Sequence, residues 1–353
     1  MIFGKKHHLV GLDIGSRTIK ACEVIDTKTG KSLKKLGSID IAPGIIVEGV
    51  VNDSKKGADA IKQLFEAYNI RENNVAISVG GYSVIVKKIF VQSMSEENLQ
   101  ERINVEAEQY IPFDISDVNL DFQILGEDED KKGRMNVLLV AAKKDMLNDY
   151  IYMVELAGLN PCIVDIDAFA LQNTFETVYG VKEENIALID IGASKTSLNI
   201  LKRGSSVFMR DVSLGCSQIN NEIVSKADCS LEESEQIKHG EQKGRISPND
   251  LAMIINRVVT DWCDEIKRAL DFFYSTYSDR NDRIDKIVLS GGGANIEGFR
   301  DILAREISVD VETINPFINL DIDDEVIASS YLERIAPQAA ICMGLSMRRV
   351  NDK

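Results

Sequence analysis

The sequence has little of what several familiar classes of active site require. It contains 3 histidines, and none of its 6 cysteines forms a C-x-x-C pair. His7 and His8 lie at the N-terminal end, and His239 lies in a polar stretch rich in Glu and Lys. A Ser/His/Asp or Cys/His nucleophile system would therefore have poorly placed bases, and zinc and redox motifs are absent. Carboxylates, hydroxyls and backbone groups remain as the candidates for chemistry.

Basic charge and long apolar runs are also scarce. Lys and Arg number 41 against 56 Asp and Glu, which gives a formal net charge of -15. Because binding to a phosphate backbone needs clustered positive charge, no nucleic acid partner is expected. No run approaches ~18 apolar residues and no signal-peptide core occurs, so no direct membrane span is expected. The expected location is the cytoplasm, where free cysteines behave as small buried hydrophobes.

The chain is long enough for more than one core. Its 353 residues exceed the ~250–300 at which a single hydrophobic core stops growing. Hydrophobic residues make up 44% and charged residues 27%, which are ordinary values for a folded protein. We therefore expect two domains, or two halves around a cleft.

One pattern occurs twice in the chain. "LVGLDIGSRTIKA" runs from Leu9 to Ala21, and "IALIDIGASKTSL" runs from Ile186 to Leu198. Each copy predicts two strands joined by a short turn that begins at the glycine of Asp-Ile-Gly. The chain is therefore expected to contain two duplicated halves.

A segment of different character follows the first copy. Ser95 can cap a helix that Pro112 ends. The alternating stretches "VNLDFQIL" and "MNVLLVAA" then predict a hairpin around a charged connection, and a second helix ends at Gly158 and Pro161. We expect these elements to form a compact α+β insertion.

These patterns divide the chain into four predicted parts. They are the first-half core (1–90 with 161–185 and 336–353), the inserted α+β subdomain (91–160), the second-half core (186–225 with 284–335) and a helical subdomain (226–283). The helical part includes a long amphipathic helix after Pro248. The stretch "APQAAICMGLSM" predicts a last apolar helix.

The two repeated turns are candidate phosphate-binding elements. A turn of glycine and small residues leaves backbone N–H groups free and lets the main chain approach a phosphate closely. The candidates are Gly15, Ser16 and Arg17 in the first turn and Gly192, Ala193, Ser194 and Lys195 in the second. Because the turns occupy matching points of duplicated halves, we expect them to clasp one polyphosphate from both sides.

An aspartate precedes each turn. Asp13 and Asp190 would repel a phosphate, but a hydrated Mg²⁺ ion binds phosphate oxygens and places its waters against one or two carboxylates. The alternative is an aspartate that only bonds its own turn. Lys20, on the returning strand, could add positive charge at the phosphates or be a simple solvated lysine.

The stretch "LSGGGANIEGF" predicts a strand, a glycine turn and a helix. Gly291, Gly292 and Gly293 remove every Cβ from the turn, so a flat ring could lie against the backbone there. A tight structural turn is the alternative explanation. The pattern is neither G-x-G-x-x-G nor a P-loop, so the dinucleotide and P-loop modes of binding are not supported.

In this order, the duplicated turns, the glycine-rich segment and the apolar C-terminal helix resemble the actin-like ATPase superfamily. The resemblance implies an α/β fold of two duplicated ribonuclease-H-like halves around a nucleotide cleft, with an inserted α+β subdomain in the first half. Such an insertion is similar to that of the cell-division protein FtsA and of the PilM family of type IV pilus assembly. "EAEQYIPFDISDVNLDFQIL", from Glu106 to Leu125, resembles the PilM family in particular.

The resemblance also implies which residues bind ATP and Mg²⁺. The first phosphate element is Asp13, Gly15, Ser16 and Lys20, and the second is Asp190, Gly192, Ala193, Ser194 and Thr196. The adenosine element is Gly291, Gly292, Gly293 and Ala294. Asp13 and Asp190 are the expected metal-binding and catalytic carboxylates. For the residue that orients water, Asp165, Asp167 and Gln172 stay open, with Asp167 preferred, so slow hydrolysis and binding alone are both compatible with the sequence.

The implied function is that of a cytoplasmic scaffold that a partner holds at the inner-membrane assembly platform of a type IV pilus or of a related secretion or competence system. In the PilM family, a groove between the first-half core and the insertion receives the cytoplasmic N-terminal tail of the bitopic membrane protein PilN. The region from Tyr110 to Phe113 is the candidate part of that groove here. Self-association is a further option. An FtsA-like filament former, a sugar-type kinase and a chaperone-type ATPase are the alternatives, and the lack of a membrane helix after the last packed helix is expected to separate this chain from FtsA.

Overall fold

The computed structural model describes residues 8–128, 131–240, 245–276, 283–323, 327–350 and 352. The strands in this part of the chain are β1 (Val10–Ile14), β2 (Thr18–Thr27), β3 (Gly30–Asp40), β4 (Ile46–Val47), β5 (Val50–Val51), β6 (Asn74–Val79), β7 (Val84–Gln92), β8 (Val118–Glu127), β9 (Arg134–Lys143), β10 (Asn160–Ile166), β11 (Asn185–Ile191), β12 (Thr196–Lys202), β13 (Ser205–Val212), β14 (Lys286–Ser290), β15 (Asp310–Thr313) and β16 (Leu320–Ile322). The helices are α1 (Ser54–Ala67), α2 (Glu96–Ala107), α3 (Lys144–Leu156), α4 (Asp167–Tyr179), α5 (Ser217–Ala227), α6 (Leu231–Lys238), α7 (Pro248–Thr276), α8 (Phe299–Ile307), α9 (Ser329–Ile335) and α10 (Ala340–Ser346).

Two sheets repeat the same strand arrangement. The first has the order β10-β6-β1-β2-β3-β16, and the second has the order β13-β12-β11-β14-β15. In the first, β1 is antiparallel to β2 and parallel to β6. In the second, β11 is antiparallel to β12 and parallel to β14. The repeated sequence pattern therefore corresponds to a repeated topology, in which both Asp-Ile-Gly strands lie inside a sheet.

The insertion is built on the three-stranded sheet β7-β9-β8. One face of this sheet packs against α2 through Leu99, Ile103 and Ala107. Strand β7 begins at Val84, so the predicted boundary at residue 91 falls inside a strand of the insertion. Helix α3, predicted to complete the insertion, instead buries its apolar side with α1 in the first-half core, because it covers one face of the first sheet.

Strand β16 corrects the predicted extent of the second half. Residues 284–335 were assigned to that half, but Leu320–Ile322 pair in parallel with β3 of the first sheet. Phe317 and the strand pack with Leu33 and Leu36 of β3 and with Ile335 of α9. The pairing covers the outer edge of β3, which would otherwise expose unpaired backbone groups.

Helices α4 and α10 lie between the two sheets. One buried cluster contains residues of α4 and α10 together with Leu9 and Ala76 of the first half and Leu188 and Val288 of the second. Every residue of α10 is buried, which confirms the predicted apolar C-terminal helix. The halves are therefore joined through these two helices at the base of a cleft.

The helical part of the second half contains α5, α6 and α7. The predicted long helix is confirmed, because α7 begins at Pro248 and buries Trp262, Ile266 and Phe273 along one side. Residues 241–244 and 277–282 of this part lie outside the described residues. Among the helices of the described chain, none is long and apolar enough to cross a membrane.

Candidate functional site

The two repeated turns meet in the cleft. Gly15 donates its backbone N–H to the Thr18 carbonyl at 3.1 Å, and Gly192 donates to the Lys195 carbonyl at 2.9 Å, so the turns have the same internal bond. Their serine hydroxyls, Ser16 Oγ and Ser194 Oγ, lie 2.9 Å apart. The structure thus brings together the two elements that the sequence predicted as a clasp, although their separation is 177 residues or more along the chain.

Asp13 and Lys20 form a buried ion pair beside the first turn. They are directly opposite each other in the β1–β2 ladder, and Lys20 Nζ lies 3.0 Å from Asp13 Oδ2. Burial alone would lower the pKa of Lys20, but the Asp13 carboxylate raises it above its ordinary value. Lys20 is only 7% exposed, so the alternative of a simple solvated lysine is wrong. A charged lysine is therefore held in a buried ion pair beside the first turn.

Asp190 occupies the matching place in the second half. Ser290 Oγ donates to its Oδ1 at 2.7 Å. Burial raises the pKa of Asp190 to about 6, with added repulsion from Asp13 and Asp167, while the Ser290 hydrogen bond acts in the opposite direction. Asp13 and Asp190 thus stand at matching positions of the two strands that lead into the repeated turns.

A cation in the cleft would have to bring most of its ligands with it. Within the described ranges, no group of three or more His, Cys, Asp or Glu residues could hold a metal ion. A Mg²⁺ ion at Asp13 and Asp190 would therefore need phosphate oxygens and waters for the rest of its coordination, which is the usual arrangement for Mg²⁺ with phosphate ligands.

The three glycines after β14 have different structural roles. A Cβ on Gly291 would lie 2.4 Å from the Ile191 carbonyl oxygen, and one on Gly293 would lie 2.3 Å from Ile191 Cγ2. A Cβ on Gly292 would have nothing within 4 Å. Packing thus explains two of the glycines. Gly292 borders open space, which leaves its backbone accessible to a flat ring. Ala294 follows two residues later and is half-buried.

Several other predicted residues have structural partners. Arg17 Nη1 donates to the Ile41 carbonyl at 3.1 Å, and the buried Thr196 Oγ1 donates to the Leu214 carbonyl at 3.1 Å. The Ala193 carbonyl accepts the Ser217 N–H at 2.8 Å, which attaches the second turn to α5. These contacts hold the turns in place.

Two of the three candidates for orienting water, Asp165 and Gln172, have partners that do not belong to the two turns. Asp165 Oδ2 lies 2.8 Å from Arg348 Nη1, and burial raises the pKa of Asp165 above its ordinary value. Gln172 Nε2 donates to Glu176 and to the Gly204 carbonyl. Asp167, at the first position of α4, is the candidate that reaches the cleft.

Asp167 takes part in a network that sequence reasoning did not foresee. Lys195 Nζ lies 2.6 Å from Asp167 Oδ2 and 3.9 Å from Asp211 Oδ2. Ser78 Oγ donates to Asp167 Oδ1 at 2.7 Å, and Gly81 N–H donates to Asp211 Oδ2 at 2.6 Å. Ser78 and Asp211 had no signal beyond being polar residues near the ends of apolar strands.

Charge and space within this network are well matched. Burial alone would raise the pKa of Asp167, but Lys195 and Ser78 hold it below its ordinary value. Burial alone would lower the pKa of Lys195, but Asp167 and Asp211 raise it. A Cβ on Gly80 would lie 2.3 Å from Lys195 Nζ, so the glycine leaves room for the ion pair.

Comparison with protein families agrees with this architecture. The family model described as type IV pilus assembly protein PilM matches residues 11–350. A solved structure described as the PilM-PilN type IV pilus biogenesis complex is similar, with 27% identity and a TM-score of 0.86, over 98% of this chain and 100% of that chain.

More distant relatives share the fold. MreB5 of Spiroplasma citri, solved bound to AMPPNP, is 13% identical with a TM-score of 0.53, over 96% of this chain and 95% of that chain. The cell division protein FtsA of Bacillus subtilis (strain 168) is 24% identical over an alignment of 255 residues, with coverage of 65% of this chain and 57% of FtsA. The match thus spans less than two thirds of FtsA. The predicted actin-like fold of two duplicated halves is confirmed.

Proposed function

Because this chain belongs to the PilM family of type IV pilus assembly proteins, we propose that it is an ATP-binding, actin-like scaffold of the inner-membrane assembly platform of a type IV pilus. It docks the cytoplasmic N-terminal tail of a PilN-like bitopic membrane protein and is held at the cytoplasmic face of the membrane by that partner. The observation that carries the proposal is the end-to-end likeness to the PilM-PilN complex structure, which covers 98% of this chain.

The residues of the cleft support nucleotide as the ligand. The turns at 15–17 and 192–195 would hold the phosphates, Asp13 and Asp190 would hold a hydrated Mg²⁺ ion, and the backbone at Gly292 would border the adenosine. Because Ser16 and Ser194 are in hydrogen-bond contact, the turns must separate to admit a phosphate chain. Nucleotide binding is therefore expected to favour a more open arrangement of the halves.

The contacts of Asp167 support nucleotide binding with at most slow hydrolysis. A carboxylate that orients or deprotonates water must reach that water. Ser78 holds one Asp167 oxygen and Lys195 the other, and the Ser78 bond does not depend on nucleotide, so the carboxylate stays oriented away from a free role as base. Binding of the nucleotide stabilises one geometry of the cleft. The residues of the two turns hold and orient the nucleotide.

The insertion offers the candidate docking region between Tyr110 and Phe113. Lys87 Nζ lies 5.2 Å from the centroid of the Tyr110 ring, and Lys143 Nζ lies 4.3 Å from that of Phe113. Both aromatic residues pack on the insertion core without being fully buried. Aromatic rings with adjacent cations suit a peptide that carries apolar and acidic side chains.

The test is a calorimetric titration of the purified chain with the synthetic N-terminal tail of the PilN-like protein from the same organism. We expect saturable one-to-one binding. Phe113→Ala should weaken it about tenfold, as loss of an aromatic anchor typically does. The matched control is Phe272→Ala. Phe272 lies on α7 of the second half, its ring is 53% exposed, and the Arg210 guanidinium lies over it.

No binding of the tail to the unaltered chain would refute the docking role. Equal weakening by Phe113→Ala and Phe272→Ala would leave the docking role in place but move the groove away from Tyr110–Phe113. Circular dichroism and a thermal melt of each variant separate a lost contact from a lost fold.

A further inference from the structure

Lys195 connects the two halves across the cleft. It belongs to the second turn, next to Ser194, yet its ammonium lies 2.6 Å from Asp167 at the start of α4 in the first half. Its other acidic neighbour, Asp211 of β13, lies 3.9 Å away. The Lys195 side chain is 24% exposed and that of Asp167 is 17% exposed, so the pair is largely shielded from solvent.

Two further contacts cross the cleft beside this pair. Asp211 accepts the Gly81 N–H at 2.6 Å, and the Tyr82 hydroxyl lies 3.0 Å from Ser213 Oγ. Gly81 and Tyr82 lie between β6 of the first-half core and β7 of the insertion. The contacts around Lys195 therefore tie β13 of the second half to the point where the insertion begins.

Lys195 has competing demands on its charge. A lysine ammonium is a compact charge with three donors on a flexible stem, and it can turn from one acceptor to another. A phosphate group offers more negative charge and more acceptor oxygens than a carboxylate, and charge-assisted bonds to it are strong. A phosphate chain entering between the turns at Ser16 and Ser194 would arrive next to Lys195.

We propose that Lys195 is a switch residue that exchanges Asp167 for the terminal phosphate of a bound nucleoside triphosphate, so that the ion pair joining the halves breaks when triphosphate binds. This exchange rests on the nucleotide binding proposed above. A diphosphate lacks the terminal group and leaves the Lys195–Asp167 pair in place. The insertion thereby senses the difference between the two nucleotides through Gly81 and Tyr82.

The first test needs no variant. Hydrogen–deuterium exchange of the full chain is followed at residues 78–84 with Mg²⁺ and either a non-hydrolysable ATP analogue or ADP. We expect faster exchange with the triphosphate, because loss of the Lys195–Asp167 pair frees the neighbouring Asp211 carboxylate to leave the Gly81 N–H, whereas the diphosphate leaves that pair in place. Equal exchange with saturating amounts of both nucleotides would overturn the proposal.

The second test measures the affinities of three variants for both nucleotides. Lys195→Met should weaken binding of the ATP analogue about tenfold, as loss of a charge-assisted bond does, and should change ADP binding little. Asp167→Asn should strengthen binding of the ATP analogue, because it removes the competing acceptor. The matched control, Lys286→Met, removes a lysine that pairs with Glu312 at the opposite end of the second sheet and should change neither affinity.

The outcomes separate this exchange from the function on which it rests. Equal loss of ATP-analogue and ADP affinity in Lys195→Met would overturn the proposed exchange of Asp167 for the terminal phosphate. The proposal that the chain binds nucleotide would stand. If the unaltered chain bound the tail peptide but neither nucleotide, both the exchange and the ATP-binding part of the proposed function would fail, while docking would stand. If Lys195→Met fails to fold, the hydrogen–deuterium exchange of the unaltered chain decides alone.

Discussion

The glycines of the cleft show how differently one residue type can be used. Gly291 has a φ of +81°, in the left-handed region that favours glycine, and the main chain of Ile191 lies against it. Gly293 has no room for a Cβ. Gly292 has neither constraint, since its φ is outside that region and the space beside it is open. Its small size leaves room for the proposed nucleotide.

Gly292→Val should leave stability nearly unchanged and weaken nucleotide binding. The added side chain enters open space, where it meets the ligand instead of the protein. We expect about a tenfold loss in affinity, which corresponds to about 1.4 kcal/mol, measured with a fluorescent ATP analogue. Gly293→Ala is the contrasting variant. Its Cβ meets Ile191, so it should lower the free energy of unfolding by about 1–3 kcal/mol, as overpacking does.

Normal nucleotide affinity in a folded Gly292→Val variant would move the adenosine site away from this turn. A large drop in melting temperature for Gly292→Val would instead mean that the space beside Gly292 closes in solution.

Helix α10 is the element that depends most on close packing. A Cβ on Gly11 of β1 would lie 2.0 Å from the Cys342 carbonyl oxygen of the helix, and a Cβ on Gly344 would lie 1.8 Å from the Ala170 carbonyl oxygen of α4. Thr174 Oγ1 donates to the Ala340 carbonyl at 2.6 Å. The backbones of β1, α10 and α4 therefore lie in contact, and small residues on the helix make that contact possible.

Gly344→Ala should destabilise the protein strongly. The atom in its way belongs to backbone that cannot rotate aside, so relief requires α4 and α10 to move apart. We expect a loss of about 3 kcal/mol in the free energy of unfolding, at the upper end for overpacking, measured by urea denaturation. Gln63→Ala, on the exposed side of α1, should change stability by less than ~0.5 kcal/mol.

A Gly344→Ala variant as stable as the unaltered chain would show that the two helices are less tightly packed in solution. Reduced nucleotide affinity with unchanged stability would instead point to an effect on the cleft.

The whole molecule is assembled from segments that return to the first sheet late in the chain. Strand β16 pairs with β3, and α10 lies against β1 and β2, so the first half is completed by residues after 319. Residues of α9 and α10 share a buried cluster with β2 and β3. The first half therefore cannot bury its core from its own stretch of sequence.

A chain that ends at residue 319 should fail to fold into a stable structure. It would expose the edge of β3 and the surface that α10 covers, which favours aggregation. The measurement is a thermal melt followed by circular dichroism, with no cooperative transition expected. Co-expression of residues 320–353 as a separate peptide should restore the transition, and a cooperative melt of the shortened chain alone would contradict the prediction.

The sequence by itself determined the local features of this protein. Apolar runs, glycine turns and helical spacing are local, so the two strand–turn–strand repeats, the long α7 and the apolar α10 could be predicted from neighbouring residues. The turns at Gly15 and Gly192 and the segment at Gly291 could be found for the same reason. The resemblance to the PilM family rested on these motifs and on Glu106–Leu125.

Only the tertiary structure decided which lone charged side chains meet across the cleft and which strand covers the edge of the first sheet. The pairs Lys195–Asp167 and Asp211–Gly81 join residues far apart in the chain, and no local pattern indicates the partner of a lone charged side chain. The placement of β16 in the first sheet depends likewise on an edge formed elsewhere. Periodicity is set by the nearest few residues, whereas ion pairs and edge pairing depend on the three-dimensional arrangement of complete elements.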